Sequence, residues 1–244
     1  MRLTRVHVDS ALQSDTDLEL PEAAAYHVGK VLRLREGALI AAFDVSGHDF
    51  NCEMMSVKGD RVVVRVGART PGIAESPLRI TLVQAVSRGE RMDWTLQKAT
   101  ELGVQAIVPV LSARSVVRLD EKQSERKLRH WQAIVAVACE QCGRSVVPEV
   151  RAPLELSRYL ASGAREGQRL VLSPTGPASL AGLHSLGTRV ELLIGPEGGL
   201  DDAELARAAD AGYSPVRLGP RVLRTETAGI VALTVLQALW GDLA

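Results

Sequence analysis

Apolar and polar side chains alternate in short runs through the first seventy residues. Residues 38–44, 48–56 and 61–67 follow this period of two, and Val45-Ser46-Gly47 and Lys58-Gly59-Asp60 between them have the length and composition of hairpin turns. A helix over 21–34 interrupts the strands. The pattern predicts a small barrel-like β domain of about 70 residues, near the lower limit at which a chain buries its own core.

The pattern changes after residues 69–78, where Pro71, Gly72 and Pro77 suggest a linker. Residues 78–87, 106–112, 169–174, 190–195 and 215–219 are nearly continuous apolar runs separated by helical stretches, the signature of a mainly parallel sheet in an α/β domain. The expected domains are therefore 1–72 and 73–244. On the helix over 91–102, Met92, Leu96, Ala99 and Gly103 share one face, and Arg91, Trp94, Lys98 and Glu101 another. A second helix is capped at 120–123 and stops at Gly143, with an apolar stripe of Leu128, Trp131, Ile134, Val135, Ala138, Cys139 and Cys142. The last helix, Thr225–Trp240, is apolar nearly all round, which predicts burial in the core or against a second subunit.

Composition narrows the class. The chain has 244 residues, 46% hydrophobic and 24% charged, a balance that excludes disorder. Its longest apolar run, 228–236, is broken by Gly229 and Thr234 and falls short of the ~20 residues of a membrane span. Residues 1–10 form no apolar leader, so a cytoplasmic protein without membrane contact is expected. Formal net charge is zero, yet residues 79–151 hold 12 basic and 8 acidic side chains, a local surplus of the kind that attracts phosphates.

Candidate chemistry falls at three places. Cys139-Glu140-Gln141-Cys142 has redox or zinc spacing, but no second ligand pair exists for a tetrahedral metal, and both sulfurs lie on the apolar stripe at a helix end; buried structural thiols and no metal are expected. The five histidines show no ligand spacing. Gly195-Pro196-Glu197-Gly198-Gly199 joins an apolar strand to a helix, without the order of a Walker or dinucleotide-binding loop. About twenty residues on, Leu218-Gly219-Pro220-Arg221-Val222-Leu223-Arg224-Thr225-Glu226 forms a second strand-to-helix junction. Ligands of open α/β sheets bind outside the carboxyl ends of strands, so these two loops can converge on one pocket.

Taken together, Arg91-Met92-Asp93-Trp94 with 97–104, Glu140-Gln141 with Gly143-Arg144, the 194–199 turn, and Leu218-Gly219 with 223–228 resemble the RsmE family of ribosomal RNA small-subunit methyltransferases, which modify N3 of a uridine. The resemblance spans the chain, including His27 and Val31-Leu32-Arg33. It implies a SPOUT-type α/β domain with a trefoil knot, a PUA-like N-terminal RNA-binding barrel, a homodimer, and S-adenosyl-L-methionine as methyl donor with S-adenosyl-L-homocysteine as product. Its substrate would be 16S rRNA or the 30S subunit. Leu172, Gly195, Pro196, Glu197, Gly198, Gly199, Leu218, Gly219, Leu223, Arg224 and Thr225 would line the donor pocket. Glu197, Glu226 and Arg224 are the catalytic candidates, and Arg33, Arg91, Arg114, Arg144 and Arg221 the RNA contacts. Methyl transfer to another RNA or atom, such as a tRNA ribose hydroxyl, and a non-catalytic RNA-binding module are the alternatives.

Overall fold

The structure, a computed structural model, describes residues 3–163 and 166–243, so the first two residues of the 1–10 stretch lie outside it. The chain forms two units. One comprises Met1–Glu75 with Ala136–Val147, the other Ser76–Val135 with Pro148–Ala244.

In the first unit, β1 (Thr4–His7), β2 (Thr16–Glu19), α1 (Glu22–Tyr26), β3 (Leu39–Phe43), β4 (His48–Lys58) and β5 (Arg61–Pro71) build a five-stranded sheet in the order β1-β3-β4-β5-β2. All pairs are antiparallel except β1 with β3. Phe50, Cys52 and Met54 on β4 and Val62, Val64 and Val66 on β5 point inward at every second position, and meet Val6, Leu20, Val28, Ile40 and Ala42 in the core. This is the small β-rich domain the pattern predicts, and its sheet fits the PUA-like barrel the resemblance implies. Two strands were not legible. β1 is four residues long, and β2 is an edge strand with only Leu18 partly covered, so it carries no alternation. β5 also runs on through Arg69, Thr70 and Pro71, because β4 supplies pairing partners as far as His48; Pro71 sits at the strand end, where a missing N–H breaks no ladder.

Residues 136–147 complete this unit. Arg5 pairs with Asp49, and its Nη2 donates to the Arg144 carbonyl at 3.0 Å and to Ser145 Oγ at 3.2 Å. Ser145 Oγ in turn donates to Asp49 at 2.5 Å, and the His7 N–H donates to Glu140 Oε1 at 2.9 Å.

The second unit contains β6 (Arg79–Ala85), α2 (Glu90–Glu101), β7 (Ala106–Leu111), α3 (Glu121–Cys142, whose end belongs to the first unit), β8 (Glu149–Val150), β9 (Leu154–Glu155), α4 (Leu156–Ala161), β10 (Gln168–Leu172), β11 (Ala178–Ser179), β12 (Arg189–Ile194), α5 (Asp202–Asp210), β13 (Tyr213–Arg217) and α6 (Thr225–Trp240). The sheet is wholly parallel in the order β11-β13-β10-β12-β6-β7-β8, with β9 also beside β7. The five long strands are those the apolar runs predict; β8, β9 and β11, at two residues each, are too short to show a period. All six residues of β7 are buried, as in a sheet covered on both faces. On α2, Met92, Leu96 and Ala99 are buried and Trp94 is exposed. The start of α3 is boxed as expected, the Gln123 N–H donating to Asp120 Oδ1 at 2.7 Å and the Asp120 N–H to Gln123 Oε1 at 3.1 Å. α6 buries Gly229, Ala232, Leu233 and Leu236 but leaves Leu239 exposed. No described helix is long and apolar enough to cross a membrane.

Candidate functional site

β10 lies between β12 and β13, so the three segments leaving their carboxyl ends are neighbours although they are far apart in sequence. Between them opens a cavity of about 770 Å³. Its walls come from 172–175 after β10, 194–200 after β12 and 216–228 after β13, with Arg91 from α2 at the rim.

Each loop has a local cause. After β12 the chain reverses in a turn closed by the Gly199 N–H donating to the Pro196 carbonyl at 2.9 Å, and Gly199 holds φ 69°, a conformation closed to most L residues. α5 then starts on a reciprocal cap: the Glu204 N–H donates to Asp201 Oδ1 at 2.7 Å, and the Asp201 N–H to Glu204 Oε2 at 3.0 Å. Glu204 is buried, and its other oxygen accepts the Ala113 N–H at 2.7 Å, which fixes the segment after β7. After β13 the turn passes through Gly219, at φ 100°, before α6 begins at Thr225.

Side chains lock these segments together. Thr225 Oγ1 donates to the Gly195 carbonyl at 2.6 Å and accepts from Gln84 Nε2 at 3.1 Å. Arg91 Nη1 donates to Glu197 Oε1 at 3.0 Å, and its Nε lies 3.9 Å from Glu226 Oε1. Glu226 Oε2 is buried with no hydrogen-bond partner. Arg114 Nη1 donates to the Gly198 carbonyl at 3.0 Å.

All eleven expected donor-pocket residues line the cavity, as do Glu226, Arg91 and Arg221. Arg221 and Arg224 are exposed, and neither guanidinium has a partner among the described residues. Arg114 holds the outside of the glycine turn. The other two arginines lie in the first unit: Arg33 is exposed, whereas Arg144 is 8% exposed and paired with Glu75, with Nε donating to Glu75 Oε1 at 3.1 Å. Arg144 therefore serves this unit's internal structure and presents little surface to a ligand. Sequence reasoning missed Ser173, Thr175, Leu200 and Val222 in the wall, and Gln84 behind it. Gln84 left a signal, a polar side chain in the apolar run 78–87.

The cavity suits a nucleoside-bearing donor. Leu172, Ile194, Leu218 and Leu223 offer aliphatic faces to a flat ring, and Gly195, Gly198, Gly199 and Gly219 bring main chain to the wall with no side chain in the way, so peptide groups can read the ring's edge. The thiols take no part. Burial pushes the Cys139 thiol up to about 12, and Cys142 is half-buried. Among the described residues no cluster of His, Cys, Asp and Glu could hold a metal ion.

The family described as RNA methyltransferase domain matches residues 74–237. A solved methyltransferase from Legionella pneumophila, in complex with the bound cofactor SAM, has a TM-score of 0.95 at 40% identity, over the whole of both chains. A ribosomal RNA small subunit methyltransferase E from Neisseria gonorrhoeae, bound to S-adenosyl methionine, has a TM-score of 0.94 at 37% identity, again over the whole of both chains. The ribosomal RNA small subunit methyltransferase E of Buchnera aphidicola is 32% identical over 243 residues, which is 100% of this chain and 99% of that one.

Proposed function

Because this chain belongs to the RNA methyltransferases, within the RsmE family of ribosomal RNA small subunit methyltransferase E proteins, we propose that it transfers a methyl group from S-adenosyl-L-methionine to N3 of a uridine in 16S rRNA during 30S maturation. One observation carries the reading: the 195–199 turn and the 218–226 segment open onto the same cavity. When bound, the donor supplies a methyl group on a sulfonium, an electrophile that needs an in-line nucleophile. The chain's part is to hold both reactants in register, worth ~7–11 kcal/mol of barrier. Leu172, Leu218 and Leu223 pack the nucleoside; the backbone of Gly195, Pro196, Gly198, Gly199 and Gly219 reads its polar edge; Thr225 keeps the Gly195 carbonyl in place.

Uridine N3 carries a proton that must leave as its lone pair bonds to carbon. Glu226 receives it, a carboxylate in the cavity wall whose Oε2 has no hydrogen-bond partner already in place. Glu197 is the second carboxylate, held by Arg91, and Arg224 offsets negative charge developing on the uracil. Arg91 and Arg221 at the cavity, Arg114 on the outside of the glycine turn and Arg33 on the PUA-like RNA-binding unit contact the RNA, the domains being taken as 1–72 and a 73–244 SPOUT domain with a trefoil knot. The enzyme works in the cytoplasm as a homodimer, a reading supported by the apolar side of α6, where Ile230, Val231 and Val235 are only half-covered and Leu239 is exposed. The test is incubation of undermethylated 30S particles and of naked 16S rRNA with labelled donor, followed by nucleoside mass spectrometry. N3-methyluridine is the expected product; a ribose-methylated nucleoside, or no product with either substrate, overturns the assignment.

A further inference from the structure

Residues 26–35 of the first unit form a surface for which the cavity has no use. The α1 helix widens after Tyr26 into a π-helical turn, His27–Val31, with the Leu32 N–H donating to the His27 carbonyl at 2.9 Å. Such turns are rare and concentrate at functional sites. The segment then passes through Arg33 at φ 52°, a left-handed conformation that a non-glycine residue holds at a cost in stability.

One side of the turn is pressed onto the sheet. Val28 is fully buried, and a methyl at Gly29 would meet Val62 on β5 at 3.4 Å and Val57 on β4 at 3.6 Å. Tyr26, His27, Val31 and Leu32, in and beside the turn, are exposed. Tyr26 is 58% exposed, Val31 55% and Leu32 41%. Three exposed cations, Lys30, Arg33 and Arg35, lie on the same segment. Lys30 lies 3.6 Å from Asp60, and the guanidiniums of Arg33 and Arg35 have no partner among the described residues; Glu22 and Glu36 lie at the two ends.

We infer that this turn is a stacking platform for a single-stranded segment of the RNA substrate. The inference rests on the methyltransferase reading for the presence of RNA. A base lies on the Tyr26 ring, with Val31 and Leu32 extending the apolar floor, while Arg33, Arg35 and Lys30 meet the phosphates on either side. Apolar faces alone would fit many partners; apolar faces beside two unpaired guanidiniums, Arg33 and Arg35, fit a polyanion with flat faces.

The experiment uses the full-length protein with two probes, a fluorescein-labelled oligouridylate and naked 16S rRNA, titrated across a range of salt, alongside calorimetry with S-adenosyl-L-homocysteine. Tyr26→Ala is expected to weaken RNA binding roughly five- to a hundredfold and Tyr26→Phe to keep it. Arg35→Ala is expected to flatten the plot of log affinity against log salt by about 0.7. Arg33→Gly removes the charge but relaxes the backbone, so it should melt a few degrees higher while binding RNA less tightly, a combination that a merely structural arginine would not give. S-adenosyl-L-homocysteine affinity is expected to stay constant throughout. Unchanged RNA affinity in Tyr26→Ala and Arg33→Gly overturns the platform, as does a loss of oligomeric state in Tyr26→Ala, which would mean that a second copy covers this face. A parent protein that binds RNA through Tyr26 but takes no S-adenosyl-L-homocysteine would remove the methyl-transfer reading and leave the platform standing.

Discussion

Thr225 Oγ1 donates to the Gly195 carbonyl at 2.6 Å, which ties the first turn of α6 to the end of β12 across thirty residues of chain. The same oxygen accepts from Gln84 at the end of β6. A single hydroxyl thus sets the spacing of the two loops that form the cavity. Thr225→Val keeps the shape and removes both bonds, leaving the Gly195 carbonyl without this donor and Gln84 Nε2 with its bond to the Ala85 carbonyl alone, at about 1–3 kcal/mol. The expected result is a lower melting temperature together with weaker S-adenosyl-L-homocysteine binding by calorimetry; a variant that melts lower but binds as tightly would mean that the hydroxyl only stabilises.

Gly199 separates backbone strain from occlusion. A Cβ there meets nothing within 4 Å, so Gly199→Ala carries only the cost of its φ of 69°, about 1–2 kcal/mol. It should melt lower and still bind S-adenosyl-L-homocysteine. Gly199→Trp places an indole in the donor cavity, and its calorimetric signal should vanish while circular dichroism stays that of the parent.

The two carboxylates should separate kinetically. Glu226→Gln keeps the size of the side chain but cannot take a proton, and is expected to lower kcat by about 10² or more without changing donor affinity. Glu197→Gln weakens the hold on Arg91 and is expected to act mainly on KM for the RNA. A Glu226→Gln enzyme with parental kcat would retire Glu226 as the base.

Acid stability of the first unit depends on Asp44. Burial alone would raise its pKa, but hydrogen bonds from Ser46 and from the Leu12 N–H, at 2.7 Å, with Arg69 nearby, outweigh burial and hold it below the ordinary carboxylate value. A group shifted down stabilises the fold above its unfolded pKa, about 4, and loses that contribution as pH falls through the folded value. Asp44→Asn is therefore expected to lower the melting temperature near neutral pH, with the gap to the parent narrowing below about pH 4.

The thiols should be inert. With the Cys139 thiol pushed up to about 12, almost no thiolate exists at pH 8, so iodoacetamide on the folded protein is expected to spare Cys139 and the buried Cys52 and to reach Cys142 at most. Chelators should leave the melting curve unchanged. Rapid alkylation of Cys139 by native mass spectrometry would contradict the burial.

How much of this was legible in the sequence varies by residue. The five long strands of the second unit showed through because a parallel strand buried on both faces is an unbroken apolar run, and the cavity-forming loops because glycine and proline end such runs abruptly. Gln84 was missed, although it is a polar side chain in an apolar run; its partner Thr225 is 141 positions away, and no local pattern carries that distance. Arg144 was expected among the RNA contacts, with Gly143-Arg144 part of the family resemblance; that Glu75, 69 positions earlier, pairs with it depends on how the chain closes. The π-helical turn was read as ordinary helix, since one inserted residue does not alter the apolar period enough to register.

Residues 136–147 have a consequence for synthesis. The first unit encloses Arg5, Asp49 and Ser145 in one hydrogen-bonded cluster, so a nascent chain that has emerged as far as Glu75 lacks the segment that completes it. The core between Val6 and Val66 is then already translated, but Arg5, His7 and Asp49 stay without their partners from 136–147 until translation has passed Ser145. A fragment cut at the apparent linker would remain in that unfinished condition permanently, whereas one made by joining 136–147 to the end of the first 75 residues would have every piece it needs.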